Sequence, residues 1–206
     1  ILVGGTGLYV DAVVKNLELP KIKENKKLRA RLEREIKEKG LDFVFKKLVA
    51  LDPEAAYIVD PKNPRRIVRA LEVALISGKP FSAQRKIGKP LYNVLEFGIS
   101  VPPEKLKERI IRRIEQMVEN GLIDEVSSLV KKYGSNCKLF DAIGYREIVD
   151  YLKNGISLTE AIEQMNKSTW HYAKRQITWF KRNPQIHWIK NQKKAISMAS
   201  VLSRVS

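Results

Sequence analysis

Along most of this chain apolar residues recur at the three- and four-residue spacing of a helix, and three short stretches break that rhythm. Ile1-Leu2-Val3 is a continuous apolar run. Asn93 to Val101 alternates apolar and polar positions and ends at Pro102-Pro103, and Ile186 to Ile189 is a last short apolar segment. These three read as strands at 1–3, about 94–101 and 186–189. Between them Leu8, Ala12 and Val13 mark a helix stopped at Leu19-Pro20. Leu28, Leu32 and Ile36 mark a second, with Gly40 as its C-terminal cap. Further helices are expected from Phe43 to Leu51 and through Ile67, Leu71, Ala74 and Leu75, the latter stopping at Gly78-Lys79-Pro80. From Lys21 to about Pro90 the pattern is wholly helical.

After Pro103, Leu106, Ile110, Ile114, Met117 and Val118 form the stripe of a strongly amphipathic helix that ends at Gly121. Ile123, Val126, Leu129 and Val130 continue in the next, and Tyr145 to Leu152 is a short one. Ser157 with Glu160 forms a capping box ahead of a long helix striped by Ile162, Met165, Thr169, Ala173, Ile177 and Phe180. Asn183-Pro184 ends it, and Lys193 to Val205 reads as a terminal helix or frayed tail. Strands lying next to helices predict a parallel α/β core interrupted by a helical insertion. Three strands are fewer than the five or six that a sheet of this kind typically has. The apolar opening has no initiator methionine, so the chain is expected to be cut inside a domain.

Composition narrows the function. The 206 residues hold 39 Lys+Arg against 23 Asp+Glu, a formal charge of +16 that favours a polyanionic partner. With 44% hydrophobic residues the chain is too apolar for a disordered polycation. One cysteine, Cys137, and two isolated histidines, His171 and His187, exclude a disulfide scaffold and a zinc finger and fit a reducing, cytoplasmic setting. No apolar run approaches the roughly 20 residues that span a bilayer.

The excess charge has a location. From Gln164 to Ser206 there is no acidic residue, while Lys167, Lys174, Arg175, Lys181, Arg182, Lys190, Lys193, Lys194 and Arg204 supply nine positive charges. His171, Lys174, Arg175, Thr178, Lys181 and Arg182 share one face of the long helix, roughly opposite its apolar stripe. Like charges at that spacing repel, and no acidic residue relieves them, which points to a phosphate backbone along the ridge. Trp170, Tyr172 and Trp179 lie nearby, available either to stack on bases or to pack in the core. A second basic set, Arg65, Arg66 and Arg69, follows Asn63-Pro64, and arginine suits bidentate phosphate recognition.

The chemical motifs are individually modest. Gly4-Gly5-Thr6-Gly7, between an expected strand and a helix, sits where backbone amides can bind an anion, or serves as a plain turn. It is no Walker A loop: the two Gly-Lys pairs, 78–79 and 88–89, both precede proline. Asp141-Ala142-Ile143-Gly144-Tyr145-Arg146 places a carboxylate, a glycine turn, a phenol and a guanidinium together. Spacing supports no metal cluster and no Ser-His-Asp or Cys-His set.

In order, Val3-Gly4-Gly5-Thr6-Gly7-Leu8-Tyr9, the run Asn63-Pro64-Arg65-Arg66-Ile67-Val68-Arg69-Ala70-Leu71-Glu72 with Ser77-Gly78-Lys79-Pro80 behind it, Ile143-Gly144-Tyr145-Arg146, and Lys174-Arg175-Gln176-Ile177-Thr178-Trp179-Phe180-Lys181 resemble the motifs of the tRNA dimethylallyltransferase (tRNA isopentenyltransferase) family. The resemblance covers essentially the whole chain. It implies an α/β fold, a partial P-loop-type parallel sheet core (1–18 and 93–206) with a largely helical insertion domain (19–92). The family's N-terminal phosphate loop and its aspartate base are not in this sequence.

The implied activity moves a dimethylallyl group from dimethylallyl diphosphate, assisted by Mg²⁺, to N6 of the adenosine 3′-adjacent to the anticodon. The target base would be flipped out of its stack. The implied partners are a tRNA anticodon arm and dimethylallyl diphosphate, with no membrane, for a cytoplasmic monomer. By motif match Thr6 is the catalytic-site residue facing the adenine. Arg29 and the segments Arg65, Arg66, Ile67, Val68, Arg69; Asp141, Ala142, Ile143, Gly144, Tyr145, Arg146; and Lys174, Arg175, Gln176, Ile177, Thr178, Trp179, Phe180, Lys181 match tRNA-contacting stretches. Asp141 stands where relatives carry a basic residue, and Lys181 where some carry arginine. Two rival readings stand beside this one. An adenylate isopentenyltransferase acting on free nucleotide would not need the basic ridge, and a non-catalytic helical RNA-binding module would not need the strand-glycine-helix opening.

Overall fold

The computed structural model describes residues 1–18, 20, 22–84, 86–153 and 155–190. The expected element at 193–205, with Lys193, Lys194 and Arg204, lies outside the described residues, as does Leu19 of the expected helix stop. The chain packs as two compact units, one of Ile1–Gly4 and Leu8–Val94, the other of Gly5–Gly7 and the chain from Leu95 onward. Residues 8–18 thus group with the helical segments, whereas the sequence pattern groups 1–18 with the core.

The first unit runs from helix α1 (Gly7–Val14, whose first residue belongs to the second unit) through strand β1 (Leu17–Glu18). It continues through α2 (Lys26–Lys39), α3 (Leu41–Leu51), α4 (Ala55–Ile58), α5 (Pro64–Ser77) and β2 (Lys86–Ile87). Leu32, Val44, Leu48, Ile67 and Leu71 are wholly buried and join α2, α3 and α5 into one core. Local chemistry sets the ends. Asn63 Oδ1 accepts the Arg66 N–H at 3.2 Å, Pro64 occupies the first turn of α5, and Gly78 closes it in the left-handed conformation, φ 66°.

The structure departs from two expectations. Ile1-Leu2-Val3 is not a strand: the three side chains are exposed, and among the described residues no strand pairs with them, so apolar character finds no ladder to join. The stretch 21–90 is not wholly helical either, because β2 pairs antiparallel with β1, Leu17 facing Ile87 and Glu18 facing Lys86. Asn16 organises that pairing. Its carbonyl accepts the Gly88 N–H at 2.9 Å and its side-chain amide donates to the Lys89 carbonyl at 3.0 Å, an approach that a side chain at position 88 would block.

The second unit contains β3 (Phe97–Ile99), α6 (Pro103–Glu119), α7 (Leu122–Tyr133), α8 (Tyr145–Leu152), α9 (Leu158–Phe180) and β4 (His187–Ile189). Strands β3 and β4 are parallel, with Phe97 beside His187, Gly98 beside Trp188 and Ile99 beside Ile189, and the intervening helices form the crossover that a parallel pair requires. Ile110, Ile114, Val126, Ile148 and Met165 build a core among α6, α7, α8 and α9. Ser157 and Glu160 form the expected capping box at the start of α9.

One ionic cluster ties the first unit together. The Glu72 carboxylate on α5 has no solvent exposure. It accepts the Asn25 N–H at 2.7 Å, Arg29 through Nε at 2.9 Å and Nη2 at 2.8 Å, and Arg69 Nη1 at 2.5 Å. Arg69 also donates to the Ile22 carbonyl at 3.1 Å, so the segment entering α2 is fastened to α5. Burial alone would raise the Glu72 carboxyl, but the donors from Arg29, Asn25 and Arg69 outweigh it and hold the group down at about 2, from an ordinary 4.5. A depressed value contributes stability that is complete above the ordinary value and is lost as pH falls toward the folded one. Glu72→Gln is therefore expected to cost about 2 kcal/mol at neutral pH, by leaving the half-buried Arg29 and Arg69 guanidinium groups short of their counter-ion. Wild-type stability should fall as pH drops from 4.5 to 2, with a flatter profile for the variant. Urea unfolding across that pH range checks both.

Candidate nucleic-acid interface

Helix α9 carries the centre of the site. Its residues Gln176 and Trp179, three apart and therefore neighbours on one side, meet the glycine turn that precedes α1. Gln176 Nε2 donates to the Gly5 carbonyl at 2.9 Å. A Cβ at Gly5 would overlap the Gln176 amide, and one at Gly7 would overlap the Trp179 indole, so both glycines are required by the closeness of the helix. Thr6, exposed, sits between them at the start of α1. Two motifs some 170 positions apart in sequence thus form one construction within the second unit.

The remaining motif positions on α9 divide by face. Lys174, Arg175 and Thr178 are exposed, as is Lys181 at the C-cap, while Ile177 and Phe180 are half-buried on the inner side. The Thr178 hydroxyl donates back to the Lys174 carbonyl at 2.9 Å. Two cations of this face are supported by aromatic rings in place of acids. Arg175 lies 5.8 Å from the centre of the Tyr172 ring, and Lys174 lies 5.8 Å from the centre of the Trp170 ring. Tyr172 is itself exposed, whereas Trp170 and Trp179 are half-buried.

The third motif opens α8. Gly144 adopts φ 97°, a conformation that favours glycine, and its N–H donates to Glu147 Oε2 at 2.8 Å. Asp141, Ala142 and Arg146 are exposed, Ile143 and Tyr145 are half-buried, and Gly144 is buried. The Tyr145 hydroxyl donates to Glu125, and that bond, with burial, raises the phenol above its ordinary value. Arg146 Nη2 donates to Glu147 Oε1 at 2.7 Å and lies 3.3 Å from Ser168 Oγ on α9. Glu147 is 1% exposed. Burial pushes its carboxyl up, but the Gly144 N–H, Arg146 and Ser168 outweigh that and hold it below the usual carboxylate range.

In the first unit the structure sorts the expected contacts differently. Arg65 and Arg66 are exposed, and their side chains have no hydrogen bond or ion pair among the described residues. Ile67 and Val68 are core residues with no usable surface. Arg29 and Arg69 direct their donors into Glu72, and Arg29 Nη1 also pairs with Glu24 at 3.3 Å. Sequence reasoning named neither Glu147 nor the exposed strip Lys105, Arg109, Arg112 and Arg113 on α6, none of which has an ion-pair partner among the described residues. A glutamate three residues after a helix-opening glycine, and cations spaced three and four apart, were the signals available.

A phosphate contact at the centre of the α9 face has a measurable signature. Arg175→Ala is expected to lower the slope of log K against log salt for an RNA stem–loop by about one, with little effect on sequence preference. Filter binding at a series of salt concentrations tests it, and an unchanged slope would remove Arg175 from the interface.

Comparison with known proteins places the chain. A family model described as IPP transferase matches residues 1–183. The tRNA dimethylallyltransferase of Gloeothece citriformis is 42% identical over 188 residues, covering 91% of this chain and 60% of that protein. That of a Synechocystis species is 38% identical over all 206 residues, covering 67% of its length. The full-length tRNA isopentenylpyrophosphate transferase of Bacillus halodurans superposes with a TM-score of 0.60 at 36% identity, over 98% of this chain and 65% of that one. A eukaryotic dimethylallyltransferase, solved acting on tRNA, superposes with a TM-score of 0.75 at 25% identity, over 98% of this chain and 56% of that one. The chain spans about 60% of the length of these curated relatives. Its mixed α/β architecture, a parallel strand pair with a largely helical body, is the partial P-loop-type fold of these transferases. With its four motifs in order and its glycine turn seated on α9, the chain belongs to the IPP transferase family.

Proposed function

We propose that this chain works in a tRNA dimethylallyltransferase, which moves a dimethylallyl group from its diphosphate to N6 of the adenosine 3′-adjacent to the anticodon. The observation that carries the reading is the double use of α9: one side seats the Gly5–Gly7 turn, and the exposed surface beside and opposite it presents Arg175, Lys174 and Lys181 with no acidic residue from Gln164 onward. A free adenine nucleotide needs no such extended cationic face, and a plain RNA-binding module needs no glycine turn held beside it.

In this reading the N6 lone pair attacks the allylic carbon of the donor and the carbon–oxygen bond to diphosphate breaks. The diphosphate departs with the electron pair, and N6 gives up one proton to a base. An exocyclic adenine amine is a weak nucleophile, so the rate depends on positioning and on stabilising the leaving group. Thr6, exposed beside the seated glycines, is assigned to the flipped adenine. Lys174, Arg175, Lys181 and Arg146 take phosphates of the anticodon arm, with Arg65 and Arg66 as further phosphate contacts. Gln176 and Trp179 contribute by holding the glycine turn in place.

The protein is proposed to act as a monomer in the cytoplasm; among the described residues no helix is long and apolar enough to cross a membrane. Mg²⁺ is proposed to accompany the diphosphate. Among the described residues no group of three or more His, Cys, Asp or Glu side chains could hold it, so no residue here is assigned to the metal and no step is routed through it. The full-length protein carrying this chain is expected to transfer label from radioactive dimethylallyl diphosphate into tRNA that has adenosine after its anticodon, and not into AMP. Label entering AMP alone would overturn the tRNA reading.

A further inference from the structure

Glu147 is a buried carboxylate to which the transfer reaction assigns nothing. Capping α8 does not require its burial. Glu160 makes the same contact with the start of α9, accepting the Ser157 N–H at 2.7 Å, while remaining exposed. Desolvating a carboxylate is costly unless several donors meet it, so the burial of Glu147 is explained by its other partners. Its Oε1 accepts Arg146 Nη2 at 2.7 Å and the Ser168 hydroxyl at 3.0 Å.

These bonds fasten Arg146 to α9. Ser168 and Arg175 are seven residues apart, two turns on one stripe and about 10 Å along the axis. At the position of Ser168 the stripe lacks a cation of its own, and Arg146 supplies one from α8. Only one terminal nitrogen of Arg146 is consumed; Nε and Nη1 make no hydrogen bond among the described residues, and the side chain is 51% exposed. We propose that Glu147 is a positioning residue for RNA binding, holding Arg146 at Ser168 so that its guanidinium continues the cationic stripe of α9 toward a phosphate. This rests on the tRNA reading above.

The opposing view is electrostatic: a carboxylate beside Arg146 offsets its charge, so removing it should strengthen RNA binding. A double-mutant cycle on the full-length protein separates the two. Glu147→Gln is expected to raise KM for tRNA about tenfold while leaving kcat and the KM for dimethylallyl diphosphate within about twofold, the pattern of a lost binding contact. In an Arg146→Ala background the same change should add less than about twofold, because the two residues act as one unit. Ser168→Ala, which keeps the carboxylate, should raise KM for tRNA in the same direction and decides the matter where Glu147→Gln does not fold. An unchanged or lowered KM for tRNA, or effects that multiply with Arg146→Ala, would overturn the positioning role. A wild-type protein that transfers no prenyl group to tRNA would instead overturn the underlying reading, while leaving the Glu147–Arg146–Ser168 geometry intact.

Discussion

The second unit depends on a contact made possible by the absence of side chains. Gly5 and Gly7 let α9 come close enough for Gln176 to take the Gly5 carbonyl and for the Trp179 indole to lie against Gly7. A helix normally keeps its neighbours 8–10 Å from its axis because side chains stand between them. Removing two Cβ atoms lets the backbone of the turn substitute for a side chain and fixes Thr6 between two constrained residues. Because Gln176 and Trp179 use one side of α9 for this task, the side bearing Lys174, Arg175 and Thr178 is left for solvent.

Both units handle their arginines in a common way, with different results. Glu72 is fully buried and takes three guanidinium donors and one backbone N–H, and Arg69 is drawn inward to the Ile22 carbonyl as well. That cluster joins α2 to α5 and uses up the donors it gathers. Glu147 takes a single guanidinium nitrogen and shares it with Ser168, which leaves the rest of Arg146 outside. A buried carboxylate can thus draw several nitrogens of a half-exposed arginine inward or hold the group by one nitrogen alone. The geometry that separates these outcomes is how many of the five donors are turned inward.

Much of the helical framework was legible in the sequence because its signals are local. Asn63-Pro64 and Gly78 bound α5, Pro103 begins α6, and Ser157 with Glu160 begins α9, each through contacts within one turn. Signals that depend on distant partners were not legible. The run Ile1–Val3 has strand character but no ladder among the described residues, while Leu17–Glu18 and Lys86–Ile87, with little strand character, pair because Asn16 and Gly88 bring them together. The motif residues behave likewise. Ile67 was legible as part of the apolar face of a helix, yet its place beside Val68 inside a matched motif drew both into the expected interface, where their side chains are buried.

Net charge is consequently a poor guide to where a polyanion binds, and the pattern of pairing is a better one. Arg29 and Arg69 look from sequence like Arg65 and Arg66, but the partner that uses up Arg29 lies 43 residues away and could not be found by helical spacing. On α9 the cations stay exposed for a physical reason: a stretch with no acid from Gln164 onward has no local partner to recruit, and Tyr172 and Trp170 answer for Arg175 and Lys174 through their ring faces. A ring face attracts a cation without neutralising it, so the field that phosphate would meet remains. That is why the absence of acidic residues over a long helix, more than the total of +16, carries the argument for an RNA backbone along this surface.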